Sequence, residues 1–96
     1  MAEKFRQELI GIIDGLAILD EDQAVNYNLG QLLRLSRGIA AGYWREDEFP
    51  GEFSRLRDIL ARAKSFYTGH RWFMRDLKNL RQDSPRSHWW LWIEEL

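Results

Sequence analysis

Residues equipped to do chemistry are few in this chain, and they are scattered. His70 and His88 are its two imidazoles; they fall in different segments, and neither has a carboxylate at helical spacing. Acid–base or nucleophilic catalysis needs such a group beside an orienting partner. A His-Glu-x-x-His pair, a phosphate-cradling glycine loop and a nucleophile elbow are all absent. With no cysteine, disulfides, thiolate metal sites and Cys nucleophiles are excluded. Glu46-Asp47-Glu48 are neighbours just before Pro50 and read as solvated loop residues rather than a working carboxylate pair. Asp20-Glu21-Asp22-Gln23 does not make a calcium loop, which would need an oxygen ligand at Ala24 and Gly at Val25. The chain is therefore expected to be non-catalytic, with neither cofactor nor metal.

Binding is better represented. Arg71, Arg75 and Lys78 recur at i, i+4, i+7, almost opposite Phe73, Leu77 and Leu80, with Trp72 and Arg81 on the flanks. Such a cationic helix face suits phosphates, and interleaved aromatics suit unpaired bases. A nucleic-acid-binding accessory module using Arg71, Arg75, Lys78 and Arg81 is thus one expectation. Charge balance restrains it: the chain carries a net −1 and a pI near 6.1. The charge is also divided. Residues 1–50 hold five Lys/Arg against nine Asp/Glu (net −4), and residues 51–96 hold nine against six (net +3).

The tail is dense in aromatics. On a helix, Trp89, Trp92, Ile93 and Leu96 would share one buried face, leaving Trp90 and Leu91 pointing elsewhere. A small bundle has difficulty hiding a helix that is apolar on most sides. The leading expectation is therefore protein–protein binding, as a homo-oligomer, an adaptor or an inhibitor/immunity-type binder. Trp90 and Leu91 would supply the apolar contact, with Glu46, Asp47 and Glu48 as steering charges. Membrane attachment is not expected, because Glu94 and Glu95 flank the tryptophans without basic company. No apolar run approaches the ~18–20 residues of a membrane span. Glu3 stands where a signal peptide would carry a basic start, and the reading is a soluble, cytoplasmic protein.

Helices must position all of this. The organising stretch is a long helix from about Asp22 to Trp44, with Val25, Leu29, Leu32, Ser36, Ile39 and Tyr43 on one narrow stripe. Before it, residues from about Ala2 to Leu19 form a first helix striped by Phe5, Leu9, Ile12, Ile13 and Leu16, and Asp20 with Gln23 suggests a capping box between the two. Pro50 opens a third helix with Phe53, Leu56, Ile59, Leu60, Ala63 and Tyr67 inward. Thr68-Gly69-His70 interrupts it, and Gly69 is expected to end it rather than bend it. A fourth helix covers about His70 to Gln82, and a last one starts at Ser84-Pro85. Two small-residue pairs, Gly11/Gly15 and Gly38/Gly42, imply either close approach of another helix or packing against an aromatic. No strand signal appears. The expected fold is all-α: one domain of 96 residues, a compact bundle of four to five helices around the long one.

Overall fold

A computed structural model describes residues 2–20 and 27–96. Among them the fold is an all-α bundle with no strand, built of five helices: α1 (Ala2–Leu16), α2 (Leu29–Ala40), α3 (Pro50–Arg62), α4 (Lys64–Thr68) and α5 (Arg71–Arg81). Two single 3₁₀ turns, Trp89–Leu91 and Ile93–Glu95, follow. α1 packs on both α2 and α3, α5 packs on α2, and the C-terminal turns close over α4 and α5.

The apolar stripes explain this arrangement. Leu9, Ile12, Ile13 and Leu16 of α1 are fully buried, as are Leu32 and Leu35 of α2, Leu56 and Leu60 of α3, and Phe73 and Leu77 of α5. They form one core, in which Trp90 and Tyr67 are the largest fully buried side chains. Helix propensity alone would not hold elements of 5 to 15 residues in water; burying these faces does.

α1 stops three residues short of the expected Leu19. Ala17 and Ile18 donate their N–H groups back to the carbonyls of Asp14 and Gly15 (3.2 Å each), tightening the last turn. The freed carbonyls are then captured from elsewhere. Tyr67 Oη donates to the Leu16 carbonyl and Asn28 Nδ2 to the Ile18 carbonyl, both at 2.9 Å. Asn28 Nδ2 also donates to Tyr67 Oη at 2.9 Å, so one buried polar knot ties the ends of α1, α2 and α4 together. Burial pushes the Tyr67 phenol up to about 12, against the opposing effect of the Asn28 bond.

The proposed start of the long helix at Asp22, its Val25 position and the Asp20–Gln23 capping box lie wholly or partly in residues 21–26, outside the described residues. Its end comes at Ala40 rather than Trp44. Gly42 takes φ +85°, donating to the Ile39 carbonyl (3.1 Å), while Tyr43 donates to the Gly38 carbonyl (2.9 Å). These two bonds are a Schellman stop, which needs a left-handed residue at that place. Past it the chain folds back. Trp44 lies against the bare backbone of Gly38 and donates its indole N–H to the Phe5 carbonyl at 2.6 Å. A Cβ on Gly38 would strike that ring, and one on Gly15 would come within 2.9 Å of Gln31 Nε2. Gly15 and Gly38 therefore serve packing within this chain.

α3 opens on Pro50, with buried Phe49 before it and Phe53 one turn on. A short irregularity at Ala63, which the sequence reading did not anticipate, separates α3 from α4. The expected break follows: His70 adopts an extended backbone (φ −94°, ψ 102°), so α4 and α5 are separate helices. The largest departure is at the end. Ser84 Oγ donates backwards to the Leu80 carbonyl (3.1 Å), completing α5 instead of capping a new helix. Beyond Pro85 the chain makes only the two 3₁₀ turns.

Candidate functional site

That departure decides the tryptophans. The chain here makes two separate 3₁₀ turns, broken at Trp92 (φ −112°, ψ 57°), so no α-helical phase carries through the tryptophans. Trp90, Leu91 and Ile93 are buried at 1% exposure or less, while Trp89 and Trp92 are only partly covered. The α-helical spacing had placed Trp89 and Trp92 inward and Trp90 and Leu91 outward, the reverse of what is found, while Ile93 is buried as that spacing required. Trp90 Nε1 donates to Ser36 Oγ (2.9 Å), its ring leans on Phe53 (5.9 Å between centroids), and His88 stacks on it at 4.8 Å. The expectation that Trp90 and Leu91 form an exposed contact is corrected: both are core residues in the single chain.

The neighbouring indoles are engaged as well. Trp89 Nε1 donates to Glu46 (2.7 Å) and carries the Arg57 guanidinium at 4.4 Å from its ring centroid. Trp92 lies under Arg81 and Arg86, at 5.5 and 4.5 Å. Arg86 in turn bonds Glu95 at 2.6 Å. His88 is buried with its Nδ1 unpartnered among the described residues. Its burial pulls the imidazole pKa down, with Glu46 pulling the other way. His70 is half-buried and its Nδ1–H donates to the Phe66 carbonyl at 2.9 Å.

The acidic loop is exposed but occupied. Glu46 holds Trp89, while Asp47 and Glu48 share Arg45 at 2.9 and 3.7 Å. Three carboxylates against one guanidinium leave the loop negative, so it remains a source of field rather than of free contacts.

Of the four cations on the fourth predicted helix, α5 presents three outward. Arg71, Arg75 and Lys78 are exposed. Arg81 is not: it grips Glu94 through both guanidinium arms (2.8 and 2.7 Å) and donates to the Leu91 carbonyl (3.1 Å), with 16% of its side chain exposed. These bonds hold the Glu94 carboxyl below its usual range. Arg81 belongs to the fastening of the C-terminal segment, and its place in the nucleic-acid set is corrected accordingly.

What remains on α5 is compact. Trp72 is 56% exposed, the most exposed large apolar side chain among the described residues. Arg75 sits 4.5 Å from its ring centroid and Arg71 5.7 Å. Arg75 also meets Asp76 at 3.2 Å. The helix is positioned for this by its opposite face, since Phe73 and Leu77 are wholly buried and leave Trp72 no route inward. Trp72 was legible beforehand only as a residue on the flank of a basic helix.

Fold and surface together define a small helical bundle with a solvent-facing aromatic–cationic face on α5. No described helix is long and apolar enough to cross a membrane. Comparison with protein-family models, with curated proteins and with solved structures gives no match.

Proposed function

We propose that this chain is a non-catalytic binding protein that recognises an acidic surface on another protein through the outer face of α5. The observation that carries this reading is the exposed Trp72 ring with the Arg75 and Arg71 guanidiniums 4.5 and 5.7 Å from its centroid. Trp and Arg are the side chains most enriched where binding energy concentrates, and a cation held over the ring gains further when a partner excludes water. Lys78 extends the positive face along the same helix. A protein partner is favoured over nucleic acid because the cations are few. Arg81 is spent internally, Arg75 is partly offset by Asp76, and the chain as a whole is slightly acidic. Tracking phosphates draws on a larger set of free cations.

The test is affinity capture on immobilised full chain, paired with light scattering and an oligonucleotide titration at low salt. A protein retained by the wild type and lost with Trp72→Ala and with Arg71→Ala/Arg75→Ala supports the reading. Light scattering shows whether that protein is a second copy of the chain. Oligonucleotide binding that falls steeply with salt, and disappears in the double arginine variant, transfers the face to nucleic acid. Retention of the same partner by Trp72→Ala ends the proposal for this face.

A further inference from the structure

Away from α5, the outer side of α2 borders a groove of about 560 Å³, within the range typical of small-molecule sites. Its walls include Glu8 from α1, Leu33, Arg34 and Arg37 from α2, and Tyr43 and Trp44 from the returning chain. The two arginines stand out by what they lack. Arg6, Arg45, Arg55, Arg62, Arg75, Arg81 and Arg86 are ion-paired, and Arg57 and Arg71 lie over tryptophan rings. Arg34 and Arg37 alone, among the described residues, do neither. They are one turn apart on α2, and both line this groove. Glu8 lines it too, half-buried, and no ion pair bridges the gap. Gly30 leaves the lining open, since a Cβ there would meet nothing within 4 Å.

We propose that this groove binds a small molecule that joins one anionic group to an apolar ring and carries a hydrogen-bond donor at its other end. The anion lies between Arg34 and Arg37, where a forked guanidinium matches a carboxylate or phosphate. The ring rests against Leu33 and Tyr43. The donor, an ammonium or hydroxyl, reaches Glu8. A polyanion running along the groove is disfavoured, because Glu8 would oppose its second charge. This site shares no residue with the α5 face, and its test is independent of that reading.

Backbone-amide NMR titrations of the full chain with benzoate, para-aminomethylbenzoate and benzyl alcohol test it. Both carboxylates are expected to give saturable shifts centred on residues 30–44, with the aminomethyl compound binding about tenfold more tightly, a difference of about 1.4 kcal/mol. Benzyl alcohol is expected to give none. Arg34→Gln with Arg37→Gln abolishes binding of both acids, and Glu8→Gln removes only the advantage of the amine. Gly30→Leu blocks the groove while keeping every charge, at a helical position where Leu is well accommodated. None of these changes touches an ion pair or a core contact, and circular dichroism checks that each variant is folded. Absence of saturable shifts with either acid overturns the proposal. So do shifts centred on Arg71 and Lys78, or binding that survives in the double arginine variant. Equal affinity for the two acids overturns the assignment of Glu8.

Discussion

The C-terminal turns and the outer face of α5 are made of the same materials and put them to opposite use. Each sets tryptophan beside arginine. At the C-terminus the network closes on itself: Trp90 bonds Ser36, Trp89 bonds Glu46, Arg81 grips Glu94 and Arg86 meets Glu95. On α5, Trp72 has Arg71 and Arg75 near its ring and is 56% exposed. Aromatic and arginine content is therefore not a binding signal in itself. What separates a fastening from a free surface is how far the same chain covers the ring: Trp90 is 1% exposed and Trp72 56%.

The sharpest way to break the comparison is at Trp90. Replacing it with Ala removes the largest fully buried side chain and strands Ser36, so a loss of about 3–5 kcal/mol is expected in urea unfolding. A loss under about 0.5 kcal/mol, the size of a surface change, would show that the C-terminal turns are not part of the core. Next is Gly38→Ala. Its Cβ meets the Trp44 ring, which the Phe5 carbonyl holds in place, and such overpacking costs about 1–3 kcal/mol. Gly11→Ala, with nothing within 4 Å, is the matched control and is expected to be neutral or stabilising.

Acid sharpens the same contrast, because among the described residues the two groups with lowered pKa, His88 and Glu94, both fasten the C-terminal segment. His88 is held below its ordinary value by burial, so on acidification the unfolded chain binds the proton first. Its contribution is complete above about pH 6.5, declines as pH falls towards the lower folded value, and then levels off. Glu94, held down chiefly by Arg81, contributes stability above the usual carboxylate range that is lost as pH falls through its folded value. Urea midpoints are expected to drop from about pH 7 to about pH 5, and His88→Phe, which keeps the stacked ring, flattens that step. An unchanged step in His88→Phe would assign it to another group.

Much of the bundle was legible in advance because buried stripes repeat with the helical period whatever they later touch. Leu9, Ile12, Ile13 and Leu16, or Phe53, Leu56 and Leu60, face inward as their spacing requires. Over the last eleven residues spacing could not decide. The helical period that sorts the tryptophans is interrupted there by two short 3₁₀ turns that break at Trp92, and that interruption exchanges which tryptophans go inside. Pairing was out of reach for a different reason. Arg55 finds Asp14 and Arg81 finds Glu94 across separations of 41 and 13 residues, so no local rule marks Arg34 and Arg37 as the arginines left over. Gly42 did carry a readable stop, but the apolar stripe running past it to Tyr43 outweighed that signal.

The smallest expected effect on stability belongs to the residue on which the functional reading depends. Trp72 is 56% exposed and donates no hydrogen bond to the described chain, with Arg71 and Arg75 near its ring. Trp72→Ala should therefore change unfolding free energy by no more than about 0.5 kcal/mol, while Trp90→Ala, on the same side-chain type, changes it several-fold more. Because the ring adds little to the fold, the proposed contact can be tested at Trp72 without disturbing the bundle. If Trp72→Ala instead costs as much as a core substitution, α5 is packed differently in solution. The two regions would then be one fastening, and the binding face would have to be sought elsewhere on the molecule.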